Sequence, residues 1–536
     1  MAELGLLALR RAARRLLAPF EGARAPGAAL GLVRGGALVL HEGAGMASIE
    51  LGVPIGPETC FRIASVSKQF TCAAILLLAR EGRLSPEDDI RAHLPELPDL
   101  RARITLDHLM RNTSGLRDVL ELMRMGGADL SQPCGTEHLL AAILRQRGLN
   151  FPPGSRFLYS NTGFLLLGQV VERVAGEPLG AFLERRILLP LGMTRTRLTP
   201  EAEAVVPGLA TGYLPREGGF VQARHGFPLG GEGGLVSCVE DLALWDRALA
   251  TGHVIGRDLA EALTMQAPFA NGRMNRYARG LEVGEYRGLR TVDHGGLWPG
   301  FRSAFLRVPD LSLTVIALAN HGGVDPHLLA QQLLDAAVEG LPGVRPAPAP
   351  PPRAALEPLL GRWIEPETAT TLEFSLTGAG ELQAVQHGVP FALVPTGDGR
   401  LTARRGGFPF LVAPPEGGEL VVETSAGTLS RFRRAPEGAA LPADLAGPWR
   451  CAELDAAWSI APEGGEMAAR VRGPLVSAGP WRITPVAPDA FRVHVPGTLF
   501  PGWLDGRVLR DAAGRAEALS VSGGRARDLR FAREPA

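Results

Sequence analysis

Lysine is almost absent from this chain. Of its 56 lysine and arginine residues only Lys68 is a lysine, so every other basic side chain is an arginine. Arginine keeps its proton in proteins, whereas a buried lysine can have its pKa lowered and act as a base. A sequence that retains a single lysine therefore indicates that Lys68 does something that arginine cannot do.

Other features that the sequence lacks exclude whole classes of protein. There is no run of about 18 apolar residues, so we expect no membrane-spanning helix. The five cysteines are odd in number and scattered, which is typical of reduced thiols rather than a disulfide framework. The formal net charge is +0, and no basic stripe points to nucleic acid. Arginines between residues 10 and 15 interrupt the first apolar segment, which favours an amphipathic helix in a cytoplasmic protein over a secretory signal.

The stretch Phe61–Arg80, FRIASVSKQFTCAAILLLAR, surrounds the single lysine. Its apolar run predicts a buried helix, and Ser65 and Lys68 are three residues apart, so they share one face at its amino-terminal end. There the helix dipole favours developing negative charge. This Ser-x-x-Lys pattern predicts a nucleophilic serine beside a lysine base.

At 536 residues the chain is long enough for several domains. Strand patterns at both ends of residues 1–340, with helices between them, predict a mixed α/β (α+β) domain, one sheet with helical cover. One helix is expected to start at Ser85-Pro86. The proline-rich segment 341–352 is predicted to be a linker.

Beyond the linker, short apolar runs alternate with Gly and Pro turns, which is typical of small antiparallel β-barrels. Leu359–Trp363 (LLGRW) returns as Leu445–Trp449 (LAGPW), which indicates an internal repeat. The sequence therefore predicts two β-barrel domains, 353–436 and 437–536.

Three short motifs occur in order along the first domain. After Ser65-x-x-Lys68 comes Tyr159-Ser160-Asn161, directly before a predicted helix, and then His294-Gly295-Gly296, which is predicted to open a strand. In this order the motifs resemble those of the penicillin-recognising serine hydrolases, whose class A members carry S-x-x-K, S-D-N and K-T-G. Tyr-x-Asn and His-x-Gly in the second and third places are similar to the class C β-lactamase branch.

Longer segments resemble the bacterial D-stereospecific aminopeptidases of that superfamily. They are Ser65–Cys72, Ser114–Asp118 and Ala452–Ala456. The resemblance implies a β-lactamase/transpeptidase-like catalytic domain with an antiparallel sheet, two small antiparallel β-barrels, no cofactor and a homodimer.

The residue chemistry assigns roles to the first two motifs. Ser65 is the expected nucleophile, which is weak until it is deprotonated. Lys68 can take its proton if burial lowers its pKa, and Tyr159 is the alternative base or the acid for the leaving group. Asn161 offers an amide to hold Lys68 and bind a substrate carbonyl.

The third motif is predicted to bind substrate. His294 is expected to hold the substrate or tune Tyr159, and Gly295 and Gly296 let a substrate backbone approach the strand. The resemblance implies an oxyanion hole from the backbone N–H groups of Ser65 and Leu297. A second His-Gly-Gly at His321 follows its strand and is interpreted as an exposed turn.

One departure from the resemblance lies near the end of the chain. In the D-aminopeptidases a loop of the last barrel reaches the active site and carries an acid for the substrate ammonium. The matching stretch 495–502 has no acid, and the nearest are Asp489 and Asp505. Proline and glycine nevertheless favour a projecting loop over the Ser65 cleft. The predicted lid consists of Pro496, Gly497, Thr498, Leu499, Phe500, Pro501 and Gly502.

These patterns lead to one leading function and two alternatives. The leading one is a D-aminopeptidase or amidase that acts on small peptides or amides through a Ser65 acyl-enzyme. The alternatives are an esterase or β-lactamase-like hydrolase or D,D-peptidase, and a catalytically idle scaffold, against which the intact motifs argue. We expect a small peptide, amide or ester as partner, no nucleic acid or membrane, and no metal, because His, Cys and Asp do not cluster at metal spacing.

Overall fold

The computed structural model describes residues 2–22, 24–340, 343–346, 348–403, 410–424, 428–497 and 502–534. Its helices are α1 Ala2–Leu17, α2 Lys68–Arg80, α3 Ile90–His93, α4 Leu106–Met110, α5 Val119–Met125, α6 Thr136–Leu144, α7 Asn161–Ala175, α8 Leu179–Leu183, α9 Leu189–Leu191, α10 Val239–Thr251, α11 Arg257–Thr264, α12 Pro326–Val338 and α13 Arg353–Leu356. No helix within these ranges is long and apolar enough to cross a membrane.

A six-stranded antiparallel sheet forms the centre of the first domain, in the order β10-β11-β12-β13-β1-β2. Strands from both ends of the domain therefore lie side by side, as the sequence predicts. The strands of this domain are β1 Ala28–Arg34, β2 Ala37–Ala44, β3 Met46–Ser48, β4 Val53–Pro54, β5 Phe61–Arg62, β6 Arg197–Leu198, β7 Tyr213–Arg216, β8 Gly219–Gln222, β9 Leu235–Ser237, β10 Glu282–Tyr286, β11 Leu289–Trp298, β12 Phe301–Val308 and β13 Leu313–Ala319.

Two layers of helices cover the two faces of this sheet. On one face α2 and α7 lie in the main apolar core with Phe70, Phe164 and Trp245. On the other, α1 and α12 pack through Leu9, Leu333 and their neighbours. Because an amphipathic helix is stable only with its apolar stripe covered, the arginine-interrupted first segment folds as part of the catalytic domain.

Two local expectations are wrong. Ser85-Pro86 lies in a turn, and the following helix begins only at Ile90, because the side chain of Asp89 accepts the hydrogen bond of Arg91 N and caps it. His294 does not open a strand but lies inside the ten-residue β11. Both errors concern the residue at which an element begins.

Each of the two carboxy-terminal domains is a closed eight-stranded antiparallel barrel. The first contains β14 Gly361–Ile364, β15 Thr371–Leu376, β16 Leu382–Gln386, β17 Val389–Pro395, β18 Leu401–Ala403, β19 Phe410–Val412, β20 Glu419–Thr424 and β21 Thr428–Arg434. The second contains β22 Gly447–Cys451, β23 Ala456–Glu463, β24 Glu466–Arg472, β25 Ser477–Ala487, β26 Ala490–Val495, β27 Gly502–Arg510, β28 Ala516–Ser522 and β29 Leu529–Arg533.

The internal repeat forms the same structural unit in both barrels. Trp363 Nε1 donates to Leu359 O at 2.8 Å, and Trp449 Nε1 donates to Leu445 O at 3.0 Å. Each indole is fully buried, and an arginine from the last strand of its own barrel lies over it, at 4.2 Å for Arg434 and 5.0 Å for Arg533. The repeat therefore closes each barrel by joining its first strand to its last.

The second barrel docks onto the catalytic domain through α5. Leu122 and Met125 of this helix belong to the same apolar cluster as Trp458 and Phe491 of the barrel. Arg117 adds an ion pair to Glu453, with Nη1 and Oε2 2.6 Å apart. Asp118, which caps α5, also binds Asn161 N at the start of α7, and Asn161 in turn contacts Lys68, so this docking brings barrel loops to the predicted site.

Candidate active site

Ser65 lies in a tight 3-10 turn, Ala64–Ser67, that runs directly into α2. From Phe61 to Leu78 every residue is buried except Ser65, which is half-buried. Ala64 has a left-handed backbone, φ 48°, a conformation that costs an alanine about 1–3 kcal/mol. The surrounding core holds this strained turn and presents only the Ser65 hydroxyl to solvent.

Lys68 lies one turn further along and is completely buried. Its Nζ is 3.1 Å from Ser65 Oγ, 2.9 Å from Asn161 Oδ1 and 2.5 Å from Glu232 O. Burial lowers the pKa of Lys68 to about 7, although the Glu232 carboxylate opposes the shift. A neutral amine that donates to two oxygens directs its lone pair at the third, so Lys68 is placed to accept the Ser65 proton.

Asp118 fixes the helix that carries Asn161. Its Oδ2 accepts the backbone N–H of Asn161 at 2.6 Å, and its Oδ1 accepts that of Glu121 at 3.1 Å. One buried carboxylate thus caps α5 and holds the start of α7. This arrangement sets the Asn161 amide against Lys68.

Tyr159 is buried beside the lysine, with Lys68 Nζ 4.8 Å from the ring centroid. Burial raises the pKa of the Tyr159 phenol, and a hydrogen bond with Ser65 offsets the rise only in part. The phenol is therefore protonated at neutral pH and can donate a proton.

His294 has both ring nitrogens engaged. Nδ1 lies 2.7 Å from Gly295 O, which can only accept, so Nδ1 carries the proton. Nε2 consequently accepts from the Tyr277 hydroxyl at 2.8 Å. Burial lowers the pKa of His294 to about 3, with Lys68 contributing, so the ring is neutral.

Tyr277 connects this histidine to the tyrosine of the second motif. The Tyr277 and Tyr159 rings meet edge to face, with centroids 6.2 Å apart. His294 also packs against Tyr159 directly, with ring centroids 6.1 Å apart, so its position is compatible with the predicted tuning role.

The glycines of the third motif allow two close contacts. A Cβ on Gly295 would lie 2.2 Å from His327 Cε1, and one on Gly296 would lie 2.1 Å from Ser303 Oγ. No larger residue fits at either position without displacing these groups. Leu297 follows them on β11, and its side chain is 40% exposed and lines the cavity at Ser65.

A cavity of about 640 Å³ opens at Ser65, between the catalytic domain and both barrels. Tyr159, Asn161, Glu232 and the residues 294–297 line it from the catalytic domain. Gln386, His387 and Val389 line it from the first barrel, and Trp481, Arg525 and Arg527 line it from the second. All three domains therefore shape the space that a substrate would occupy.

The base of the predicted lid lies at this cavity. Pro496 and Gly497 are among its lining residues, and Gly502 begins β27. Thr498, Leu499, Phe500 and Pro501 lie outside the described residues, and with them the predicted tip at Leu499 and Phe500.

Four residues at the site have no assigned role in the sequence analysis: Asp118, Glu232, Tyr277 and Arg525. The segment Ser114–Asp118 carries the family resemblance, so Asp118 could have been found from it. Glu232 contributes its backbone oxygen to Lys68, Tyr277 donates to His294, and Arg525 lies over the Tyr159 ring. None of these three lies in a motif with a chemical signature.

Within the described ranges, no group of three or more His, Cys, Asp or Glu side chains could hold a metal ion.

The sheet, its helical cover and the serine at the cavity are those of a serine hydrolase. The family model described as Beta-lactamase matches residues 10–338, which is more than half of the chain. The chain therefore belongs to the beta-lactamase family, and the predicted resemblance and fold are confirmed.

Named relatives extend the similarity into the barrels. The chain is 29% identical to the D-aminopeptidase of Gluconobacter oxydans (strain 621H), covering 84% of this chain and 83% of that protein. It is 28% identical to the D-aminopeptidase of Brucella canis (strain ATCC 23365 / NCTC 10854 / RM-666), covering 95% and 96%. The octameric penicillin-binding protein homologue from Pyrococcus abyssi shares the fold, with a TM-score of 0.54, 24% identity, and coverage of 76% of this chain and 96% of that one.

Proposed function

We propose that this enzyme is a D-aminopeptidase or amidase, which releases an N-terminal D-amino acid from small peptides or amides. The observation that carries the proposal is the contact of Ser65 Oγ with Lys68 Nζ, 3.1 Å apart, where the lysine is fully buried and has a pKa of about 7. The substrate class comes from the relatives that align over most of the chain and are named D-aminopeptidases.

In the proposed acylation step Ser65 Oγ attacks the scissile carbonyl carbon as its proton passes to Lys68 Nζ. The carbonyl oxygen becomes an oxyanion, held by the backbone N–H groups of Ser65 and Leu297. Such a donor typically contributes about 2.7–4 kcal/mol to transition-state stabilisation. Tyr159 then protonates the leaving nitrogen, the C–N bond breaks, and the Lys68 ammonium returns a proton to Tyr159.

The opposite pKa shifts of Lys68 and Tyr159 support this division of roles. The pKa of Lys68 is lowered into the range in which a base works near neutral pH, whereas the pKa of Tyr159 is raised away from that range. Lys68 is therefore the proposed acylation base and Tyr159 the proposed acid.

Deacylation repeats the same proton transfers with water as the nucleophile. Water gives a proton to the base and attacks the ester carbonyl, and Ser65 Oγ leaves with a proton. The products are the free D-amino acid and the original enzyme. His294 and Tyr277 are proposed to hold Tyr159 in place during both halves.

An esterase or D,D-peptidase is the second candidate, and one observation favours it. The stretch 495–502 has no acid that could hold a substrate ammonium, although its base lines the cavity. Either another group binds the amine or the substrate has none.

A substrate panel tests the proposal. Purified enzyme is given D-alanine amide, L-alanine amide, short acyl p-nitrophenyl esters and a chromogenic cephalosporin, with Ser65→Ala as the blank. D-specific amide turnover above that of the L-isomer supports the proposal. Ester or cephalosporin turnover without D-amide turnover replaces it with the second candidate.

A further inference from the structure

Two cysteines, Cys60 and Cys238, lie opposite each other beside the active-site turn. Strands β5 and β9 pair antiparallel, with Phe61 opposite Ser237, so the next residues along the two strands are Cys60 and Cys238. Cys238 continues the extended backbone of β9, with φ −130° and ψ 173°, before α10 begins. Side chains of opposite residues project to the same face of a sheet. The two thiols therefore meet.

The hydrogen bonds of Cys60 show which kind of pair this is. Cys60 N donates to Gly208 O at 2.8 Å, and Cys60 O accepts from Ala210 N at 2.9 Å. Both backbone groups of Cys60 thus bond away from Cys238, so the two cysteines are a non-hydrogen-bonded pair. The Cα atoms of such a pair are about 4.5 Å apart, within the range of about 4.4–6.8 Å that a disulfide spans. A disulfide therefore needs no change of register.

The surroundings of the pair make Cys60 the more reactive thiol. A hydrogen bond with the Cys238 thiol lowers the pKa of Cys60, and burial and Asp241 oppose this shift. Arg195 and Arg197 add to the lowering, because their positive charges favour a thiolate. The contact between the thiols raises the pKa of Cys238. Since the thiolate is the form of cysteine that reacts with an oxidant, Cys60 is expected to react first.

The remaining three cysteines lack these features. Burial raises the pKa of the Cys72, Cys134 and Cys451 thiols. All five cysteines lie within the described ranges, and of these five only Cys60 has a lowered pKa. The pair is therefore chemically distinct from the other thiols of the chain.

The pair lies just beneath the surface of the catalytic domain. It belongs to a small apolar cluster that is separate from the main core, and Val206 and Leu209 pack against it. Gly208 in the same covering segment is exposed, and a Cβ there would lie 3.8 Å from Cys60 Sγ. A small oxidant therefore has one thin segment of chain to pass before it reaches the sulfur.

We propose that Cys60 and Cys238 form a reversible disulfide site, which hydrogen peroxide oxidises and dithiols reduce. The Cys60 thiolate attacks one peroxide oxygen, the O–O bond breaks, and hydroxide leaves. The Cys238 thiolate then attacks the sulfur of the Cys60 sulfenic acid, so that the S–S bond forms and a second hydroxide leaves. The two hydroxides take up the two protons that the thiols lose, which gives two waters. Two electrons pass from the thiols to the peroxide, and a dithiol returns them by exchange.

The disulfide joins the two segments that hold the Ser65–Lys68 pair. Cys60 precedes Ser65 by five residues, through β5. Cys238 follows Glu232 by six residues, through β9, and Glu232 O is the oxygen 2.5 Å from Lys68 Nζ. A cross-link between segments so far apart in sequence restricts the unfolded chain strongly. Oxidation therefore stabilises the catalytic domain around its nucleophile.

Treatment of the full-length enzyme with hydrogen peroxide, followed by peptide mass spectrometry without a reducing agent, tests the site. We expect one linked pair of peptides, joined from Cys60 to Cys238, which separates after treatment with dithiothreitol. Scanning calorimetry should give a Tm for the catalytic domain about 5 °C higher in the oxidised form than in the reduced form. Cys60→Ser and Cys238→Ser should lose this shift. The control Cys134→Ser, which removes the half-buried cysteine outside the pair, should retain it.

Three outcomes would overturn the site. They are the absence of the link after the peroxide has oxidised Cys134, a link between other cysteines, and a Tm that the Cys60–Cys238 link leaves unchanged. An upward shift that persists in Cys60→Ser would also count against it. Because the link is measured in the unmodified enzyme, the test does not depend on the folding of either serine variant.

Discussion

At the scale of single residues, the proposed chemistry depends first on the Lys68 amine. Lys68→Arg keeps the positive charge but removes the ability to give up a proton. We expect turnover of the best substrate to fall about 10²–10⁴-fold, the usual contribution of a positioned acid–base group. Steady-state kinetics beside Ser65→Ala measure the loss, and near-normal activity of Lys68→Arg would rule out the lysine as base.

The pH dependence of kcat/KM reports the same group. Because the base works when deprotonated, kcat/KM should rise as pH passes through about 7, the pKa of Lys68. It should then stay level to about pH 10, since Tyr159 keeps its proton beyond its ordinary value. His294, with a pKa of about 3, adds no limb near 6.5. An acidic limb at pH 4–5 would indicate a carboxylate base instead.

The two His-Gly-Gly histidines should differ sharply. His294→Ala removes the acceptor of the Tyr277 hydroxyl, so Tyr159 loses its support and kcat should fall about 10²-fold. His321 instead packs edge-on against Phe20 and Phe220, and His321→Ala should change kcat by no more than about twofold. Tyr277→Phe should reproduce part of the His294 defect. Equal, severe losses in both histidine variants would contradict the assignment of the third motif.

At this scale the sequence predicts the contacts that are local, whereas the catalytic roles of these residues stay predictions. Ser65 and Lys68 are three residues apart, so helix geometry alone predicts their contact, and the scarcity of lysine marks the pair. Tyr277 and Arg525 lie far from any motif, and a tyrosine or an arginine is unremarkable in sequence. Only the folded chain shows that both rest on the Tyr159 ring.

At the scale of elements, the internal repeat makes a matched pair of tests. Trp449→Ala removes a fully buried indole from the second barrel and should lower its unfolding free energy by about 3–5 kcal/mol. Trp449→Phe keeps most of the ring but loses the bond to Leu445 O, which costs about 1 kcal/mol. Scanning calorimetry should show this order, and Trp363 offers the same comparison in the first barrel. Equal effects of Ala and Phe would refute the packing explanation.

Helices and strands were predictable where an apolar pattern extends over many residues. Their first residue was ambiguous where several neighbouring polar side chains could cap the helix. The strands at both ends of the first domain and the helix that follows the Tyr159-Ser160-Asn161 motif form where the sequence predicts them. The helix expected from Ser85-Pro86 begins at Ile90 instead, because Asp89 caps it by accepting from Arg91 N. Spacing alone cannot decide which of several neighbouring polar residues is the cap. The repeat was visible in sequence, but its role in joining first and last strands was not.

At the scale of the whole molecule, the predicted lid is expected to limit the size of the substrate. Shortening 497–500 should raise kcat/KM for bulky esters relative to D-alanine amide, since the base of this loop lines the cavity. Shortening the exposed turn 511–515 of the same barrel is the control and should leave the ratio unchanged. An unchanged ratio of kcat/KM values in the lid variant would contradict the prediction that this loop excludes bulky substrates.

The three-domain cavity also has a consequence for protein synthesis. Ser65 and Lys68 leave the ribosome early, and the catalytic domain that holds them can begin to fold while the barrels are still being made. The wall that contains Trp481 and Arg525 is translated much later. A nascent chain would thus carry a reactive serine in an open cleft before its pocket exists. Capture of an acylating probe by stalled chains of increasing length would show when the nucleophile becomes selective.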